Sequence, residues 1–385
     1  MTRAMEPPLR ARAGDGRPAV AFHAPMKPPD HPTPSGDREI ARLTMRALDM
    51  AGFAPFLATS LRTLDMEGDR LRQSALKAEA DLEVERLVES FAAAPPALWF
   101  TYHNYWKAPD LVGPRVAEAL GIPYVISEAS HSAKRLAGPW SFFAEAARGA
   151  LDAAARVYWT TGRDRPGLAR AMGETARDRL APLPPFIDIG PRPAMRDGRE
   201  DADGPLRLLT VAMMRRGDKS ASYARLADAL ALLDGTAWRL SVIGDGPERP
   251  VIQEMFDRFE GRVEFSGLVE DPALLREAYE ASELLVWPGV GEGIGMVYLE
   301  AQAAALPCLA EDRPGPRDVV LAGGMLPAPG DAAGLAAAIR DAAADRGALA
   351  ERGRAARLWM EQRHSLEAAA SRLRADLGAL IGASA

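Results

Sequence analysis

Cysteine is nearly missing from this chain. Cys308 is its only one in 385 residues, which excludes an internal disulfide framework and cannot by itself build a zinc site. The five histidines (His23, His31, His103, His131 and His364) are scattered without metal-ligand spacing. No uncharged apolar run approaches the ~20 residues needed to span a bilayer. The opening MTRAMEPPLRARAGDGRP carries positive charge but lacks the apolar core of a secretory signal. Charge of one sign is also lacking, since a formal net charge of −6 at this size argues against a general nucleic-acid binder. The expectation left by these absences is a cytoplasmic protein, and a shallow contact at the inner membrane face stays compatible with it.

Hydrophobic content of 48% with 26% charged residues is that of a folded globular protein, and 385 residues favour two domains over one core. Residues 1–17, rich in Arg, Gly and Pro, read as a flexible extension. Apolar strand-like runs then alternate with amphipathic segments: AVAFHA, PFLAT, LWFTY, PYVIS and RVYWTT, with helix candidates such as DREIARLTMRALDMAG between them. Such alternation implies parallel sheets covered by helices. A polar, Pro-rich passage from Leu180 to Pro205 breaks the pattern, and LRLLTVAMM, WRLSVIG, VEFSGLV, LLVWPGV and CLAE restart it. The plan is an α/β unit over 18–186, a linker over 187–205, a second α/β unit over 206–362, and a closing helix over 363–385 that returns toward the first unit.

The richest chemistry lies in GEGIGMVYLEAQAAALP. Glu292 stands in a glycine loop leaving a buried strand, and Glu300 stands about a turn into the next helix. The backbone N–H groups around Gly295, Met296 and Val297 open a helix, an end that attracts anions. Carboxylates accept paired hydrogen bonds from a vicinal diol, so the stretch suits a ligand with phosphate and sugar hydroxyls. A solvated loop glutamate and a dipole-favouring helix glutamate are the plainer alternative. VAMMRRGDKSAS adds Arg215, Arg216 and Lys219 in the loop after the unit's first strand, where cations can clamp a diphosphate.

The order VAMMRRGDKSASYARLADAL, LSVIGDGPER, VEFSGLV and WPGVGEGIGMVYLEAQAAALP resembles the retaining glycosyltransferases of family 4. The resemblance spans roughly 18–380 and is strongest from Arg207 to Val320. It implies the α/β GT-B fold: two Rossmann-like domains facing each other across a cleft, with C-terminal helices. It implies a nucleotide diphosphate sugar held by the second domain. Arg215 and Lys219 would bind the diphosphate, with Arg216 able to replace Arg215 because the Arg-to-Lys interval is one residue short. Glu292 would contact the donor sugar, Gly295, Met296 and Val297 would lie near sugar and phosphate, Glu300 would hold the ribose, and Gly267 to Val269 would lie near the base. No metal and no cofactor are implied, since the cations and helix terminus neutralise the phosphates.

In the first unit, Gly36 matches the family's glycine near donor phosphate and acceptor, and Asp37 and Arg38 follow it toward the acceptor. TYHNYWKAPD offers His103, Trp106 and Lys107 for a sugar or acyl chain, or as a buried structural cluster. Where the family commonly has a histidine after PYVIS, this chain has Ala129, flanked by Glu128 and His131. Catalysis is therefore assigned to Glu292 with Glu128 or His131, the choice between the last two staying open. The implied reaction moves a hexosyl group to a carbohydrate or glycolipid acceptor, without nucleic acid. A nucleotide-sugar 2-epimerase and a non-catalytic nucleotide-sugar-binding protein are the alternatives.

Overall fold

The computed structural model describes residues 16–33, 35–193, 204–320 and 324–384. The expected extension over 1–17 lies outside these residues apart from Gly16 and Arg17, as does 194–203 of the expected linker. Two compact units divide the chain: Met1–Pro184 with Leu366–Ala385, and Pro185–Ser365.

The first unit alternates strand and helix: β1 (Ala19–His23), α1 (Gly36–Met50), β2 (Ala54–Thr59), α2 (Arg70–Phe91), β3 (Leu98–Tyr102), α3 (Gly113–Leu120), β4 (Tyr124–Ser127), α4 (Ser141–Ala153), β5 (Arg156–Trp159), α5 (Arg165–Met172), α6 (Ala176–Arg179) and β6 (Leu180–Pro182). All neighbours pair in parallel, in the order β2-β1-β3-β4-β5-β6. Every residue of LWFTY is buried, as a central strand covered on both faces requires. Leu180 opens the polar passage in the sequence, yet its first three residues form β6. An edge strand pairs on one side only, so Pro182 is tolerated there.

His23 ends β1 inside a closed polar network. Its Nδ1 faces Asp110 Oδ1 at 3.1 Å and its Nε2 faces the Leu61 carbonyl at 3.0 Å. Both partners are acceptors, so only the imidazolium satisfies both. Burial pulls the His23 pKa down, but Asp110 and the Leu61 carbonyl outweigh it and leave the value raised. Burial likewise works against the Asp110 carboxylate, yet His23, Thr101 and the Gly113 N–H hold its pKa down at about 2. The pair locks the end of β1 beneath the loops that leave the sheet.

The second unit runs β7 (Leu206–Val211), α7 (Asp218–Leu230), β8 (Trp238–Ile243), α8 (Arg249–Phe256), β9 (Val263–Gly267), α9 (Pro272–Ala281), β10 (Leu284–Val286), α10 (Met296–Ala303), β11 (Cys308–Leu309), α11 (Pro316–Val319), α12 (Ala332–Ala344) and α13 (Arg346–Trp359). Its parallel order, β11-β10-β7-β8-β9, reverses direction between β7 and β10. Such a reversal opens a crevice at the carboxyl ends of the two flanking strands. After a π-helical turn over Met360–His364, the last helix, α14 (Leu366–Ser384), belongs to the first unit. There Asp376 accepts from the Tyr158 hydroxyl at 2.6 Å and pairs with Arg156 at 2.8 Å, and Arg374 donates to the Met50 and Ala51 carbonyls at the end of α1. Among the described residues no helix is long and apolar enough to cross a membrane.

Candidate active site

In the second unit, the loops after β7 and β10 meet at the reversal point. Lys219, in the first turn of α7, forms an ion pair with Glu292 Oε1. The Trp287 indole N–H donates to the same oxygen at 2.9 Å, and the Lys219 ammonium lies 5.4 Å from that ring's centroid. Trp287 is fully buried and packed edge-on against Tyr223, so it fixes the carboxylate's position from below. The loop after β10 is also tied to α7, because Val290 N donates to Ser222 Oγ at 2.9 Å. Gly291 has a φ of +68°, and a Cβ there would sit 2.1 Å from Asp218 Oδ2, so no side chain fits between the loops.

Helix α10 begins behind this pair. Its N-cap Gly295 is left-handed (φ 77°), and no side chain caps it. A Cβ on Gly295 would lie 2.5 Å from the Tyr298 ring. The first-turn amides of Met296 and Val297 thus open the helix beside Glu292's loop without a competing side-chain acceptor. Arg215 and Arg216 are exposed in the loop after β7, and Gly267 closes β9, its carbonyl accepting from Gly244 N at 2.8 Å. Val269 follows it, half-buried.

Glu300 stands apart from Glu292. Its Oε2 accepts from the Tyr279 hydroxyl of α9 at 2.7 Å, and burial raises its pKa. It lines a pocket of about 260 Å³ with Tyr279, Pro272, Leu275 and Ile187. The structure therefore joins Lys219 to Glu292 and gives Glu300 a separate, more apolar neighbourhood.

In the first unit the polar residues converge on His103. Its Nδ1 lies 3.2 Å from Asp37 Oδ1, in the first turn of α1, and 3.9 Å from Glu128 Oε1. His103 directly follows β3, Glu128 directly follows β4, and both adopt left-handed backbone (φ 63° and 56°). Such a conformation costs a non-glycine residue about 1–3 kcal/mol and gathers where side chains must be aimed. Knitting between loops holds it: His103 N donates to Ser127 O and Glu128 N to Tyr158 O. Burial alone would lower the His103 pKa, but Asp37 and Glu128, with Asp164 beyond, leave it raised. Burial raises Glu128, with Asp37 and Asp164 adding to it against His103. Carboxylate and imidazole thus compete for one proton.

His131 is not part of this group. Burial lowers its pKa, and the charges it feels are Arg148 and Asp152 of α4. Gly36 opens α1 with free space where a Cβ would be, behind the Ser35 cap. Arg38 spends its guanidinium on the His31 carbonyl at 2.9 Å, bracing the preceding loop. Trp106 and Lys107 sit at the tip of a turn closed by Tyr105 and Ala108. Two contributors escaped the sequence reading. Trp287 lies within the strand-like run LLVWPGV, and Asp164 lies just beyond the run RVYWTT, where no motif marks it.

Residues 205–345 match the family model described as Glycosyl transferases group 1. An exopolysaccharide phosphotransferase of Streptomyces coelicolor is 34% identical over 191 residues, which cover 46% of this chain but only 18% of that protein. The 2-deoxystreptamine glucosyltransferase of Streptomyces kanamyceticus is 26% identical over 306 residues, covering 71% of this chain and 74% of its own. The solved structure of Anabaena HepE in complex with UDP superposes with a TM-score of 0.68 at 15% identity, over 94% of this chain and all of that one. With the two Rossmann-like sheets above, that likeness gives the fold as GT-B.

Proposed function

We propose that the chain is a metal-independent, retaining glycosyltransferase that moves a hexosyl group from a nucleotide diphosphate sugar to a carbohydrate or glycolipid acceptor. The observation that carries this reading is the Lys219–Glu292 pair at the strand-order reversal, next to the uncapped start of α10. A lysine, two exposed arginines and open helix amides on one sheet edge suit a diphosphate. Glu292, half-neutralised by Lys219 and Trp287, accepts hydroxyls of the donor sugar, and Glu300 in its pocket accepts those of the ribose.

In this reading the leaving diphosphate takes the acceptor's proton as its own bond to the sugar breaks. Lys219 and Arg215 or Arg216 stabilise the charge that develops on it, which is where preorganised groups contribute most. In the first unit, Glu128 and His103 orient the acceptor hydroxyl, with Asp37 holding the imidazole. Glu128, rather than His131, is the catalytic carboxylate, because it alone of the two touches this group. A 2-epimerase is the second reading, favoured by the same Asp37–His103–Glu128 group, since epimerisation at C2 needs acid–base carboxylates.

A thermal-shift screen of UDP-, GDP-, ADP- and TDP-sugars tests the proposal. A ligand at 100 times its dissociation constant adds about 2.7 kcal/mol of stability, which is readily seen. Transfer to an acceptor panel with EDTA present, and the product anomer read by NMR, then separates the readings. Epimerised donor formed with no acceptor would replace transfer with epimerisation.

A further inference from the structure

A run of rings leads away from His103. Tyr105 lies 4.9 Å from it, Trp106 5.9 Å from Tyr105, and Trp140 5.2 Å from Trp106. These are ordinary ring-contact distances, so the track is continuous. At its far end two cations sit over both indoles. Arg135 Cζ lies 4.3 Å from the Trp106 centroid and 5.1 Å from that of Trp140, and Lys107 Nζ lies at 5.2 and 5.4 Å. Neither cation has an ion pair among the described residues; Lys107 makes only a 3.5 Å contact to the Met66 carbonyl. Trp106, Lys107, Arg135 and Trp140 are half-buried.

The two ends of the track are chemically opposite. Asp37, Glu128 and, nearby, Asp164 surround the imidazole at one end. At the other, indole faces hold two cations in place without neutralising them, and a guanidinium stacked on a ring keeps its in-plane N–H donors for an anion. Rings between such ends suit the apolar face of a sugar.

Building on the glycosyltransferase reading, we propose that this track is an acceptor subsite for a sugar that carries a phosphate. The hydroxyl to be glycosylated lies at the Asp37–His103–Glu128 end, the sugar lies over Tyr105 and Trp106, and the phosphate meets Lys107 and Arg135. A soluble sugar phosphate and a lipid-linked sugar present the same phosphate oxygens, and the titration below tells them apart.

The test titrates the intact protein, its donor site filled with saturating nucleotide diphosphate, by calorimetry. The probes are gluco-, galacto- and manno-hexose 1-phosphates, their prenyl phosphodiesters, the matching methyl glycosides, and phosphatidylglycerol vesicles. At least one phosphorylated sugar should bind about tenfold more tightly than its methyl glycoside, the worth of a charge-assisted contact. Lys107→Gln with Arg135→Gln should erase that preference, and Arg135→Lys with Lys107 intact should keep most of it. A preference for the phosphodiester over the hexose 1-phosphate assigns the lipid-linked source, and the reverse assigns the soluble one. No preference for phosphate, or one that survives the double substitution, overturns the proposal. Vesicle binding lost in the double variant, without a sugar-phosphate preference, assigns the patch to a bilayer and overturns it too. Nucleotide diphosphate binding measured in the parent keeps the two failures apart, since its absence would sink the glycosyltransferase reading instead.

Discussion

The two units share a parallel sheet and a strand-order reversal, yet their sheet edges carry opposite charge balances. In the first, three carboxylates gather around one imidazole: Asp37 and Glu128 near its Nδ1, and Asp164 acting on both His103 and Glu128. In the second, Arg215, Arg216 and Lys219 outnumber the carboxylates beside them, Asp218 in the same stretch and Glu292, which pairs with Lys219. An acidic edge suits hydroxyls that must be oriented, and a basic edge suits phosphate that must accept negative charge. The edges are also built differently. His103 and Glu128 are aimed by strained backbone, whereas Glu292 is aimed by a buried indole and a glycine turn too tight for side chains. Two parallel sheets of the same kind thus carry edges of different electrostatics.

The comparison is most easily broken at the acidic edge. Glu128→Gln should lower turnover by about a hundred-fold or more, the cost of losing a group that positions the reacting hydroxyl, while nucleotide affinity stays within a few-fold. His131→Ala should change turnover little. Steady-state kinetics on both variants decide the assignment; equal losses would return His131 to the site.

Next comes the buried pair beneath that edge. Removing one partner of such a pair is worth about 3–5 kcal/mol, so Asp110→Asn should destabilise the protein strongly. The pH dependence has a definite sign. The Asp110 pKa is lowered to about 2, so its contribution is present above the ordinary carboxylate range and is lost as pH falls toward 2. The His23 pKa is raised, so its contribution is full below its ordinary value of 6.5 and is lost as pH rises through the folded value. Denaturant midpoints across this range should show a plateau between the two losses, and Asp110→Asn should flatten both flanks.

At the basic edge, Lys219→Ala should weaken nucleotide diphosphate binding by about ten- to a hundred-fold and leave nucleoside binding nearly unchanged. Equal diphosphate affinity in variant and parent would remove Lys219 from the site.

The two edges differ in legibility as well. The basic edge was readable because its residues fall in two short stretches, VAMMRRGDK and GEGIGMVYLE, each placed by one strand-to-helix turn. The acidic edge draws on loops after four strands, so Asp37, His103, Glu128 and Asp164 meet only once the sheet order is known. Glu128 and His131, three residues apart, were equivalent in the sequence, and the left-handed turn at Glu128 separates them. β6 was hidden because its composition is that of a linker, and pairing on a single side is what permits it.

The most direct measurement of the central claim is calorimetric titration of the parent, Glu292→Gln and Glu300→Gln with the nucleotide diphosphate and with the intact donor. Glu292 sits with Lys219 at the reversal point, and Glu300 sits with Tyr279 in a separate pocket. Glu300→Gln should weaken both ligands alike. Glu292→Gln should spare the diphosphate but weaken the intact donor by about ten- to a hundred-fold. Two variants with indistinguishable profiles, or with parental affinity for both ligands, would overturn the separate roles of Glu292 and Glu300.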